Sequence, residues 1–153
     1  MGCDIHTLAQ RKTDDGYVDL EFKPFDWRSY GMFGFLADVR NYSAVPPISK
    51  PRGLPEDLKN AVVIGGWDSH DIDLHSLSWL SVAELVAFDY DQLMEDRRVT
   101  RQVAPGFFNG VCTADEGEGE ATTFRAFLAE RFFEDLQKLV ELGADRVVFG
   151  FDN

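Results

Sequence analysis

Apolar and polar positions change their spacing several times along this chain, and each change marks an element. Residues 3–10 (CDIHTLAQ) alternate loosely, and YVDLEF at 17–22 alternates again. Two strand-like runs on either side of Asp15-Gly16 predict a β-hairpin. A period of two puts Asp4, His6 and Leu8 on one face of the first strand and Cys3, Ile5 and Thr7 on the other. SYGMFGFLADVRNY at 29–42 suits a short helix over 30–39, although Gly31 and Gly34 weaken it. The stretch from Asn41 to Asp57 holds four prolines and predicts an extended loop. Pro55 opens a short helix through Asn60, with Glu56 and Asp57 in its favourable first turn.

AVVI at 61–64 reads as a strand or as the end of that helix, and GGWDSHDIDLHS as a polar loop. Ser81 with Glu84 three residues later is a capping box, which predicts a helix over 82–88. RRVTRQVA at 97–104 suits a strand, PGFFNG a turn, and TADEGEGEA at 113–121 a solvated acidic loop. The clearest helix covers 123–142. Its apolar positions Phe124, Phe127, Leu128, Phe132, Leu136, Leu139 and Val140 recur at three- and four-residue spacing, and Gly143 is placed to cap it. RVVFGF at 146–151 then reads as a buried strand. The pattern predicts an α+β fold in a single domain, 1–153. Its sheet is mixed or antiparallel, with the 17–22 strand paired to the first and helices packed on it.

Composition narrows the class. A hydrophobic fraction of 44% with 13 Phe argues against disorder. No apolar run approaches the ~18 residues of a membrane helix. The opening residues lack the basic patch and apolar stretch of a signal peptide. Two cysteines, Cys3 and Cys112, fit a reducing compartment, so a cytoplasmic protein is expected. The net charge of −12 argues against nonspecific nucleic-acid binding. Such a surface can attract divalent cations or the basic face of a partner protein.

Four polar constellations carry candidate chemistry. Asp4 and His6 share a strand face, where both can face a metal or the carboxylate can orient the ring; an ordinary polar pair is the plainer alternative. The string Asp68, His70, Asp71, Asp73, His75 holds two of the three histidines but matches no zinc spacing, and local turn bonding explains it as well. Asp152 closes a buried strand, a common place for chemistry. If the first and last strands are neighbours, Asp4, His6 and Asp152 converge. Arg40, Lys50 and Arg52 stand out as cations in an acidic chain. Arg52 can clamp a phosphate or carboxylate, or form a surface salt bridge. Trp67 and Trp79 flank the polar string and suit either a pocket wall or the core.

MGCDIH at 1–6, PRGLP at 51–55, HSLSWL at 75–80 and FDN at 151–153 occur in that order over nearly the whole chain. In these motifs the chain resembles a family of small proteins encoded by bacteriophages and prophages. The resemblance implies a phage context and an infected bacterial cytoplasm, and it supplies no reaction. It raises Asp4, His6, Arg52, His75, Ser76 and Asp152 above their neighbours and weighs against Asp68 and His70. The leading expectation is a polar Asp/His pocket. Asp4, His6, His75 and Asp152 would ligate a divalent metal for hydrolysis, or His6, His75 and Asp4 would act as acid and base without one. Arg52, Arg40 and Ser76 would hold a small anion such as a nucleotide or phosphate ester. The rivals are an acidic inhibitor of a host defence protein and a structural or assembly accessory.

Overall fold

A computed structural model describes residues 2–60, 62–102, 104–107 and 109–153. In chain order the elements are β1 (Asp4–Thr13), β2 (Gly16–Asp19), α1 (Tyr30–Ala37), a 3₁₀ turn (Glu56–Leu58), β3 (Val63–Ile64), β4 (Trp67–Asp68), β5 (His75–Ser81), α2 (Val82–Ala87), β6 (Leu93–Asp96), β7 (Arg98–Gln102), β8 (Asn109–Thr113), β9 (Glu120–Thr123), α3 (Phe124–Glu141) and β10 (Arg146–Asp152). The fold is α+β, and each strand pair among the described residues is antiparallel. The chain divides into two compact units. One comprises Met1–Arg28, Pro51–Phe88 and Glu130–Asn153, the other Ser29–Lys50 and Asp89–Ala129.

The first unit is built on a four-stranded sheet in the order β2-β1-β10-β5. The β1–β2 hairpin forms as its alternation predicts. Its turn falls one residue early: Thr13 pairs with Gly16, so Asp14 and Asp15 are the loop residues and Gly16, at φ 111°, begins the return strand. β10 lies between two partners and is buried along Arg146–Phe151, which is why it reads as a continuous apolar run rather than an alternating one. On one face, Ile5, Thr7 and Ala9 of β1 stand opposite Phe151, Phe149 and Val147. The Thr7 hydroxyl donates to the Pro24 carbonyl at 2.7 Å, and the next residue, Phe25, donates its N–H to Asp135 of α3 at 2.7 Å. The Phe25 ring stacks on Phe132, centroids 4.8 Å apart. Each of these fully buried phenylalanines contributes about 1.5–3 kcal/mol of burial.

Arg146 is 4% exposed and anchors the outer end of the same sheet. Its Nε donates to Gln10 at 2.8 Å, its two terminal nitrogens donate to the Asp57 carboxylate at 2.9 and 2.7 Å, and its guanidinium lies 3.5 Å from the Tyr17 ring centroid. Asp57 is presented by the 3₁₀ turn. The helix expected through Asn60 is only this turn: a single turn with no apolar stripe gains too little to propagate. α2 forms behind its capping box. The Glu84 N–H donates to Ser81 Oγ at 3.1 Å, and the Glu84 carboxylate accepts the Ser81 N–H at 3.0 Å. β5 was hidden because serines occupy alternate positions. Ser78 is nonetheless fully buried, and the 52–53 backbone covers the strand's outer edge, Gly53 N–H donating to Leu77 O at 2.8 Å and Arg52 N–H to Ser78 Oγ at 3.0 Å.

The second unit joins α1 to two antiparallel ladders, β6–β9 and β7–β8. Ser29 caps α1, its Oγ accepting the Met32 N–H. Phe35 packs against Tyr90 and Phe124 at ring separations of 5.9 and 5.8 Å. The acidic 114–119 loop is held in place by Glu95, whose carboxylate accepts the Gly117 and Gly119 N–H groups at 2.9 and 2.7 Å. The start of β8 falls on the expected PGFFNG turn, the start of β9 on the expected acidic loop, and β6 where the pattern predicts no element. The ends of the expected 97–104 strand, 61–64 segment and 105–110 turn that fall on Val103, Ala61 and Phe108 lie outside the described residues.

The helix expected without interruption over 123–142 is broken at Ala129, which sits at φ 65° and ψ 173°. The apolar periodicity runs through the break because it serves two cores: Phe124 meets Phe35 in the second unit, and Phe132 meets Phe25 in the first.

Arg146→Ala should lower unfolding stability by about 2–4 kcal/mol, since it removes a buried packed guanidinium and its partners' bonds. Glu56→Ala removes only an exposed pair with Lys59 and should change stability by less than about 0.5 kcal/mol in chemical denaturation. Hydrogen bonds from Arg146 hold the Asp57 carboxyl below the usual range. For Glu84, burial pushes upward, but bonds from Arg52 and Ser81 outweigh it and the net shift is downward. A depressed folded-state pKa stabilises above the unfolded carboxylate value of about 4 and is lost as pH falls through the folded value. The wild type should therefore lose stability below about pH 4, and Asp57→Asn with Glu84→Gln should flatten that acid limb.

A candidate acid–base site where the two chain ends meet

The pairing of β1 with β10 sets Asp4 directly opposite Asp152 and His6 opposite Gly150. Directly opposed residues share a face, so Asp4, His6 and Asp152 emerge on the same side of the sheet. The Asp4 N–H donates to Asp152 Oδ1 at 3.1 Å, and Asp152 Oδ2 stands 3.2 Å from His6 Nε2. That oxygen is at ionic contact distance but out of line with the ring N–H, and Nε2 is buried with no directed hydrogen bond among the described residues. Both side chains are largely shielded, at 17% and 19% exposure.

The shield over His6 is the β3–β4 hairpin. Ile64 pairs with Trp67 across a two-residue Gly65-Gly66 turn in which both glycines have positive φ, 58° and 94°. A Cβ on Gly65 would lie 3.1 Å from His6 Cβ, so a glycine there lets the turn rest on the histidine. The Trp67 ring then covers the imidazole, centroids 4.9 Å apart at 34°. Opposite His6, Gly150 leaves a gap on the same face: a Cβ there would come within 2.8 Å of Leu77 and 3.1 Å of Leu74.

Asp4 is held by Arg28, which sequence reading missed. Arg28 Nε and Nη2 donate to the two carboxylate oxygens at 2.9 and 2.8 Å. These bonds keep the Asp4 carboxyl below its ordinary range, against a smaller opposing effect of burial. A Cβ on Gly2 would collide with the guanidinium. Nothing in the DWRSY stretch distinguishes Arg28 beforehand. The opening MGCDIH thereby resolves into parts: Gly2 admits Arg28, Cys3 is wholly buried, Asp4 binds Arg28, Ile5 enters the core, and His6 faces Asp152.

His75 does not join this group. It stands opposite Phe151 on β5, and its ring stacks on Phe151 with centroids 6.2 Å apart, on the sheet face away from His6. The cause is a bulge. Phe149 pairs with Ser78 and Phe151 with His75, so Ser76 and Leu77 together face Gly150. Ser76 takes φ 53°, and its Oγ lies 3.0 Å from His75 Nδ1. Among the described residues the buried Nε2 of His75 has no hydrogen-bond partner.

The expected metal cage of Asp4, His6, His75 and Asp152 is therefore not formed. His75 faces away, and Asp4 is bound by a cation that would repel a second one. His6 and Asp152 remain, fewer than the three protein ligands of a catalytic zinc site. Among the described residues no cluster of three or more His, Cys, Asp or Glu side chains is placed to hold a metal ion. Arg52 grips Glu84 through both terminal nitrogens, one at 3.0 Å, and lies 5.1 Å from the Trp79 ring centroid. Its guanidinium thus serves the capping box of α2 rather than an anion. Arg40 belongs to the second unit, beside the Tyr42 hydroxyl. Asp68 and Asp71 accept the N–H groups two residues on, at 2.8 and 3.0 Å, as turn-forming aspartates do. Cys3 is buried and Cys112 half-buried, and the two are not bonded to each other. No described helix is long and apolar enough to cross a membrane.

Comparison with protein-family models, with curated proteins and with solved structures finds no match to this chain.

Gly65→Ala should cost about 1 kcal/mol or more, because alanine is strained at this φ and its methyl presses on His6. The His6 ring protons, shifted by the Trp67 ring current, should move toward ordinary positions in the NMR spectrum. An alanine variant with wild-type stability and an unmoved His6 signal would contradict this packing.

Proposed function

We propose that this protein is a small, phage-encoded enzyme that uses His6 as its general base and Asp152 to orient it, without a metal ion. The observation that carries the reading is the buried His6 Nε2 held 3.2 Å from Asp152 beneath Trp67. A buried polar atom without a directed partner calls for an explanation, and proton transfer is one. A carboxylate beside Nε2 favours the tautomer protonated there and steadies the imidazolium once it forms. The lone pair of Nδ1 is then the base, and no described residue hydrogen-bonds to that nitrogen.

The chemistry that fits is hydrolysis of an ester or a related acyl group. His6 Nδ1 takes a proton from water as the water oxygen bonds to the carbonyl carbon. The bond to the leaving oxygen breaks, and the imidazolium returns the proton to that oxygen. Two carboxylates flank His6 in a chain of net charge −12, which favours an uncharged substrate over the nucleotide or phosphate ester of the initial expectation. The four phage-like motifs support a role inside an infected bacterium.

Hydrolysis of p-nitrophenyl acetate in EDTA, with p-nitrophenyl phosphate as the charged comparison, tests this. The acetate should turn over, and the rate should fall about 100-fold or more in His6→Asn and markedly in Asp152→Asn, with folding preserved by circular dichroism. No turnover, an unchanged rate in His6→Asn, or a requirement for metal would each overturn it.

A further inference from the structure

The second unit contains a cavity of about 460 Å³, within the range of small-molecule pockets. Asp96, Glu120, Arg98 and Phe127 are among the residues that line it. Asp96 and Glu120 are direct cross-strand partners at the end of the β6–β9 ladder. Like charges so opposed destabilise a sheet. Among the described residues neither carboxylate has a cation within ion-pair distance, and the Arg98 guanidinium has no carboxylate. Among the described residues the Asp96 carboxylate accepts only the backbone N–H of Arg98, at 3.1 Å. Three charges thus share one hollow without neutralising one another. The wall beside them is built for the Phe127 ring. A Cβ on Gly31, in the first turn of α1, would stand 2.8 Å from the tip of that ring, so the glycine makes the room.

We propose that this cavity binds a basic amino acid, a small molecule with two cationic groups and one carboxylate. The carboxylate pairs with Arg98 in a two-pronged contact, and the cations meet Asp96 and Glu120. The aliphatic chain between them lies against Phe127. Only this combination neutralises all three protein charges: a simple anion leaves the carboxylates opposed, and a plain diamine leaves Arg98 unanswered. The proposal does not depend on the His6 reading, because its residues all belong to the other unit.

Isothermal titration of the full chain with L-lysine and L-arginine tests it, with putrescine and L-glutamate as comparators. The basic amino acids should bind at least tenfold more tightly than either comparator. Arg98→Ala should abolish the preference for lysine over putrescine, and Asp96→Asn with Glu120→Gln should weaken lysine at least tenfold. The same double variant should be no less thermally stable without ligand, since it relieves an unpaired repulsion. Equal binding of lysine and putrescine would mean only general attraction to an acidic protein and would overturn the proposal. So would undetectable lysine binding, or binding untouched by the double variant.

Discussion

The antiparallel pairing of β1 with β10 is the constraint on which the rest depends. Its register, Asp4 with Asp152 through Gln10 with Arg146, decides the surroundings of every chemistry-bearing side chain at the chain ends. A slip of one residue would turn His6 and Asp4 toward the aromatic core and push Ile5 and Thr7 to the other face. Two groups pin the register from opposite ends. Arg146 ties β10 to Gln10 and Asp57, and the Asp152 carboxylate takes the Asp4 N–H. Burial of Phe149 and Phe151 opposite Thr7 and Ile5 supplies the driving force between them.

Within that frame, small residues and bulges determine which polar groups meet. Gly65 lets a hairpin lie on His6, Gly150 gives space to Leu74 and Leu77, and the extra residue at Ser76–Leu77 sends His75 to the opposite face. Two histidines that look equivalent in the chain thereby acquire different neighbours, a carboxylate for one and a phenylalanine ring and a serine hydroxyl for the other. Charge distribution separates the roles further. Arg28 satisfies Asp4, which leaves Asp152 as the carboxylate that answers His6.

Much of the fold was legible because local signals agreed with tertiary demand. The hairpin, the helix behind the Ser81–Glu84 capping box, the short helix from Tyr30 and the closing apolar strand all form, the hairpin turn one residue early and α1 ending at Ala37 rather than at 39. What escaped was set by distant partners. The polar-loop reading runs into the start of β5, whose Ser78 is buried by neighbours that only the fold supplies, and Gly65-Gly66 is a hairpin turn whose strands are too short to announce it. The break at Ala129 is silent in the sequence, since the apolar spacing continues across it. Of the site, the convergence of Asp4, His6 and Asp152 was legible only on the condition that the first and last strands are neighbours, a pairing the sequence permits and the fold supplies. The exclusion of His75 rests on one extra residue in β5, and the engagement of Arg52 and Arg28 rests on partners 32 and 24 residues away, so no local pattern could have revealed them.

A double-mutant cycle on folding stability, with His6→Asn, Asp152→Asn and the pair, tests most directly whether the two ends build one functional unit. A coupling of about 0.5–1 kcal/mol is expected. Additive single-variant effects would mean that His6 and Asp152 do not act on each other.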